Sequence, residues 1–153
     1  MQLKNKSTFL AYMGIIAVVF IWGNSLKHGH ESLEDSGAVT GFVQRKFDAL
    51  GIDAEASELI IRKVAHFTEY FLLGSLAYLT AWQYGIRAGQ YVCAGGCILV
   101  AVIDETIQRF VPGRDGNPVD VMIDALGALC AIAAVCLFIY FIKRRKEKNS
   151  KNT

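Results

Sequence analysis

The run FLAYMGIIAVVFIWG at residues 9–23 holds neither a charged side chain nor a proline. A helix that is apolar on every face needs lipid or a large protein interior around it. A chain of 153 residues that contains several such runs cannot supply the second. A spanning helix needs about 20 largely apolar residues, and four stretches qualify, at about 8–25, 62–82, 91–109 and 119–142. Hydrophobic residues make up 53% of the chain, and the charged 20% is crowded into a few short segments, a distribution that excludes an ordinary soluble domain. The first run has a basic flank like that of a signal peptide but no small-x-small cleavage pattern, so an uncleaved first transmembrane helix is expected. The expected fold is all-α: one domain over 1–153, a multi-pass membrane bundle of four transmembrane helices, with an extracytoplasmic amphipathic helix between the first and second.

Basic residues next to apolar runs mark the cytoplasmic flank and set the orientation. Lys4, Lys6, Arg87, Lys143, Arg144, Arg145, Lys146 and Lys148 fall on one side of a four-span arrangement. Both termini, including a basic tail at 143–153, are then expected in the cytoplasm, and the basic clusters belong to the membrane surface, with no nucleic-acid partner. Trp22, Trp82, Tyr84, Tyr91 and Tyr140 lie where aromatic belts form. The segment 27–61 is expected outside. Leu33, Val39, Phe42, Val43, Phe47 and Leu50 recur in it at near-helical spacing, opposed by Glu34, Gln44, Arg45, Lys46 and Asp48, the pattern of an amphipathic helix on the membrane face. Gly51 ends that helix, and Asp53 is placed to cap a new one that runs on into the second span.

Cys93, Cys97, Cys130 and Cys136 all sit within apolar runs, as small core residues do, and not in loops as a disulfide framework would. Cys93 and Cys97 have a metal-compatible spacing but no neighbouring His or carboxylate. His28 and His30, in KHGHE, read as residues of a solvated loop.

Topology then gathers the remaining charges. Lys63, His66 and Glu69 lie within about 10 Å of the outer end of the second helix. Asp104, Glu105 and Gln108 occupy the last two turns of the third helix, and Asp120 and Asp124 the first two of the fourth. Residues three or four apart share a face, so Lys63, His66, Tyr70 and Gly74 form one stripe and Asp120, Asp124, Gly127 and Ala131 another, the latter narrow enough for close helix approach. Five carboxylates face one lysine in this slab. They must hold protons, pair with arginine or bind a cation. His66, Glu69, Asp104 and Glu105 are the candidate acid and base residues. Lys63, Tyr70, Gln108, Arg109, Arg114, Asp120 and Asp124 are the candidate ligand-binding residues, and a divalent cation at the carboxylates is the candidate cofactor. The loop VPGRDGNP is a compact turn with Arg114 at its tip, placed either for an anion or for pairing with Asp120 or Glu105. In a purely structural alternative, Arg109 and Arg114 clamp the acids as bidentate partners.

Three motifs in order, RKVAHFTEYFLLGSL, DETIQRFVPGR and VDVMIDALGALC, resemble the VanZ-like family of small bacterial membrane proteins, over roughly the last two-thirds of the chain. That family is named for a teicoplanin-resistance accessory protein. The resemblance falls on Lys63, His66, Glu69, Tyr70, Asp104, Glu105, Gln108, Pro112, Gly113, Arg114, Asp120, Asp124 and Gly127. Ile107 stands where many relatives carry a histidine, which argues against a mechanism built on two histidines. The resemblance implies a multi-pass bacterial plasma-membrane protein that contributes to glycopeptide (teicoplanin or lipoglycopeptide) resistance or to envelope maintenance. Its outward-facing pocket would take a lipid-linked cell-wall precursor or a lipoglycopeptide. The alternatives are an intramembrane hydrolase or transferase, with Glu105 or Asp104 as base, and a non-catalytic helix bundle.

Overall fold

The computed structural model describes residues 2–26, 47, 51, 53–112 and 116–150. They form four helices, α1 (Gln2–Ser25), α2 (Ala54–Gln83), α3 (Gly89–Arg109) and α4 (Pro118–Ser150), with no strand among the described residues. Three are long and apolar enough to cross a membrane: Ser7–Ser25 of α1, α3 and α4. The fourth, α2, has ample length, its 30 residues spanning about 45 Å. Its first half, however, carries Glu55, Glu58, Arg62 and Lys63, and Glu69 follows directly. The expected amphipathic helix and His28 and His30 lie outside the described residues.

The helix boundaries follow from local chemistry. Asp53 caps α2 by accepting the Ala56 N–H at 2.8 Å, satisfying one of the donors that a helix start leaves open. Asn117 does the same for α4, accepting from Val119 N–H at 3.0 Å, and Pro118 follows in the first turn, where its missing N–H is harmless. Gly51 has φ 75, the left-handed geometry expected of a helix-ending glycine. The tight α2–α3 turn uses Gly85 at φ 66 and, less comfortably, Ala88 at φ 54. The basic stretch after Ile142 does not leave the helix; α4 continues through it to Ser150.

Cross-helix pairs fix the arrangement. Thr8 meets Tyr84 while Asn24 meets Glu69, so α1 and α2 run antiparallel. Ser25 meets Asp104, so α1 and α3 end together. Lys63 meets Asp120 and His66 meets Asp124, so α2 and α4 start together. The two stripes read from the sequence form this α2–α4 contact. A Cβ on Gly74 would lie 2.7 Å from the Ala128 carbonyl oxygen, and one on Gly127 would strike the Phe67 carbonyl. Only glycine lets the two backbones approach this closely.

The interior mixes a small apolar cluster with buried polar side chains. Ile21, Tyr70, Leu73, Cys97, Ala101 and Ala128 form its apolar cluster, whereas Phe9, Ile15, Val19 and Phe20 of α1 and Leu137, Phe138 and Phe141 of α4 face outward. Cys97 is a core residue as expected, but Cys130 is exposed on α4; all four cysteines are free. Many large apolar side chains outside and ionisable ones inside identify lipid as the solvent.

Candidate functional site

At the end of the bundle where α1 and α3 finish and α2 and α4 begin, polar side chains from all four helices meet. Ser25, His66, Asp104, Glu105, Gln108, Asp120 and Asp124 are all buried there. They fall into two layers.

The layer nearer the helix ends is built on Asp120. Lys63 Nζ donates to its Oδ1 at 2.7 Å, and Arg62 Nη2 lies 3.5 Å from its Oδ2. Both cations are partly exposed, with 31% and 41% of their side chains accessible, so they form a basic rim over a buried acid. Glu105 accepts the Asn117 backbone N–H on Oε2 at 2.8 Å, tying the end of α3 to the start of α4. Its other oxygen, Oε1, is buried with no hydrogen-bond partner among the described residues. Gln108 joins the layers: its Oε1 accepts from Arg62 at 3.2 Å, and its Nε2 donates to Asp104 Oδ2 at 3.1 Å and to Ser25 Oγ at 3.2 Å.

The deeper layer contains His66, Asp104 and Asp124, whose ligand atoms lie within 4.8 Å of one another. Asp104 is held on both sides, by the Ser25 hydroxyl on Oδ1 at 2.5 Å and by Gln108 on Oδ2. Asp124 is not held. Its side chain is fully buried, and neither oxygen has a hydrogen-bond partner among the described residues. His66 Nδ1 approaches Asp124 Oδ1 at 3.3 Å, an ion-pair distance, yet it too lacks an aligned hydrogen bond. Glu69, partly buried beside this layer, accepts from Asn24 at 3.2 Å. Tyr70, one turn further along α2, is fully buried with its hydroxyl unpartnered among the described residues.

A family model for VanZ/LLP1 matches residues 9–141. The chain belongs to the VanZ/LLP1 family. The matched span includes every residue of both layers, from Asn24 to Asp124. No curated protein and no solved structure matches the chain.

In this VanZ/LLP1 chain, nine of the sequence-derived candidates, Lys63, His66, Glu69, Tyr70, Asp104, Glu105, Gln108, Asp120 and Asp124, come together at one end of the bundle. Arg109 does not join them. It is exposed at the end of α3 and makes no ion pair among the described residues. Arg114 lies outside the described residues. Arg62, Asn24, Ser25 and Asn117 complete the cluster without having been singled out in the sequence. The available signal was that Asn24 and Ser25 break the first apolar run at the end where the acids gather.

The electrostatics of the two layers differ. Asp120 has two cations, whereas the deeper acids have no lysine or arginine against them among the described residues. A buried carboxylate without donors needs a positive charge or a proton beside it. Neighbouring His66 can supply that charge only as imidazolium.

Proposed function

We propose that this family member works in the bacterial plasma membrane as a four-span bundle, with α2 as the additional span, both termini in the cytoplasm and the polar end facing outward. The positions of Lys4, Lys6, Arg87 and the basic stretch after Ile142, all toward the opposite end from the polar layers, support that orientation. The protein maintains the envelope, or protects it against teicoplanin or lipoglycopeptides, by binding a polar group of a lipid-linked cell-wall precursor or of the drug in the outer leaflet.

The observation that carries this proposal is the basic rim over a buried acid. Arg62 and Lys63 share Asp120 while staying partly accessible, so an anionic group arriving from the membrane surface can meet their exposed N–H groups while Asp120 keeps its cations. In the sequence, the loop bearing Arg114 follows α3 directly. The test is expression in a teicoplanin-susceptible bacterial host. The wild-type chain raises the inhibitory concentration and Lys63→Ala does not; an unchanged inhibitory concentration with well-expressed wild-type protein refutes the resistance role.

A second reading is favoured by the buried, unpartnered Glu105 Oε1. An intramembrane hydrolase or transferase would use that oxygen as base, with His66 as its proton partner. Turnover of a labelled lipid-linked substrate that is lost in Glu105→Gln separates this activity from binding alone.

A further inference from the structure

We infer that His66, Asp104 and Asp124 form a binding site for one divalent transition-metal ion of the zinc type. The inference rests on the polar end of the bundle being functional, and it names what the deeper layer holds.

Three observations support it. First, Asp124 is fully buried with both oxygens unpartnered, and His66, 8% exposed, also has an unpartnered Nδ1. Buried polar atoms are normally satisfied, and these lie next to one another unsatisfied. Second, the 3.3 Å between Nδ1 and Oδ1 lacks hydrogen-bond alignment. It matches the spacing of two ligands on one tetrahedral ion, about 3.4 Å for bonds of about 2.1 Å. The third ligand atom needs only a modest inward rotation, because no separation in the group exceeds 4.8 Å.

Third, Asp104 is already held the way a ligand is. The Ser25 hydroxyl and the Gln108 amide each occupy one lone pair of its carboxylate and leave the others free. One imidazole and two carboxylates suit zinc, with a fourth position left open. A mixed nitrogen and oxygen set disfavours magnesium and calcium, which prefer oxygen alone. The ion also supplies the positive charge that the deeper layer lacks.

The decisive experiment uses the full chain purified in detergent, freed of metal with a chelator and titrated with Zn²⁺, Mn²⁺ or Mg²⁺ by calorimetry. One Zn²⁺ per chain is expected, with Mg²⁺ much weaker. Asp124→Asn, which keeps the shape, should weaken Zn²⁺ binding by at least tenfold, and Ser25→Ala by about 10- to 100-fold. A His28→Ala, His30→Ala, Cys93→Ser, Cys97→Ser variant should bind as the wild type does. Saturating Zn²⁺ should also raise the melting temperature of the wild-type protein, a readout that does not depend on any variant folding. No bound Zn²⁺ and no melting shift, or equal binding by Asp124→Asn and the wild type, overturns the site. Metal binding without any effect on teicoplanin susceptibility leaves the site standing and removes the resistance role; resistance in a protein that binds no metal does the reverse.

Discussion

His66 Nδ1 and Asp124 Oδ1 lie 3.3 Å apart in the deeper polar layer at one end of the bundle, and neither has a hydrogen-bond partner among the described residues. A contact so close and so poorly satisfied is uncommon in a folded interior. As it stands, Asp124 is a buried charge that lacks the donors a stabilising carboxylate has.

Asp124→Asn should therefore leave metal-free protein as stable as the wild type, or more stable by about 1 kcal/mol, because it removes an uncompensated buried charge at constant shape. The same change should abolish the function the protein has in cells. Thermal melting in detergent with chelator present checks the first half. A loss of about 3–5 kcal/mol would show instead that His66 and Asp124 form a tight ion pair worth keeping for stability alone.

Asp104 should behave in the opposite way. Its oxygens accept from Ser25 and Gln108, so Asp104→Asn turns an amide donor toward one of those donors. It should cost about 1–3 kcal/mol, as should Ser25→Ala, which strips one partner from a buried acid. Equal melting temperatures for Asp124→Asn and Asp104→Asn would contradict the difference between a held and an unheld carboxylate.

Asp120→Asn tests the rim. Arg62 and Lys63 are accessible enough for solvent to screen them, so stability should change by no more than about 1 kcal/mol. The released cations should bind an anionic headgroup more tightly, by about fivefold, equivalent to ~1 kcal/mol. Anisotropy of a fluorescent short-chain phosphatidylglycerol in mixed micelles, against the phosphatidylcholine analogue, measures this. Equal affinity of Asp120→Asn and the wild type for the anionic lipid would rule the rim out as an anion contact.

Helix approach gives a fourth test. Gly74→Ala and Gly127→Ala each place a methyl group against a backbone carbonyl of the facing helix and should cost about 1–3 kcal/mol. Gly95→Ala, where nothing lies within 4 Å, should be neutral or stabilising by up to about 1 kcal/mol. Similar melting for all three variants would mean that α2 and α4 are not packed at this distance.

Much of this arrangement is legible in the sequence. Apolar run lengths mark the helices, Asp53 marks the start of α2, and the stripes at Lys63–His66–Tyr70–Gly74 and Asp120–Asp124–Gly127 are the faces that pack. Periodicity reports which residues share a face, but it does not report the partner across the gap. That is why Arg62, about 100° around the helix from Lys63, became visible as a partner of Asp120 only in three dimensions. Ser25 shows the same limit. It ends an apolar run and reads as a boundary, and only packing reveals that the boundary is a donor. The charges of α2 that form the site also leave its first half too polar to register as a span by composition.

The bond from Ser25 to Asp104 joins residues 79 positions apart. Its consequence concerns how the chain is made. The first helix leaves the ribosome with its donor already at one end, and the acid it satisfies arrives two helices later. α3 carries two carboxylates, which are costly in lipid unless they face polar partners such as the Ser25 hydroxyl. A chain cut after α2 would keep the Ser25 hydroxyl and lack the Asp104 carboxylate to which it donates.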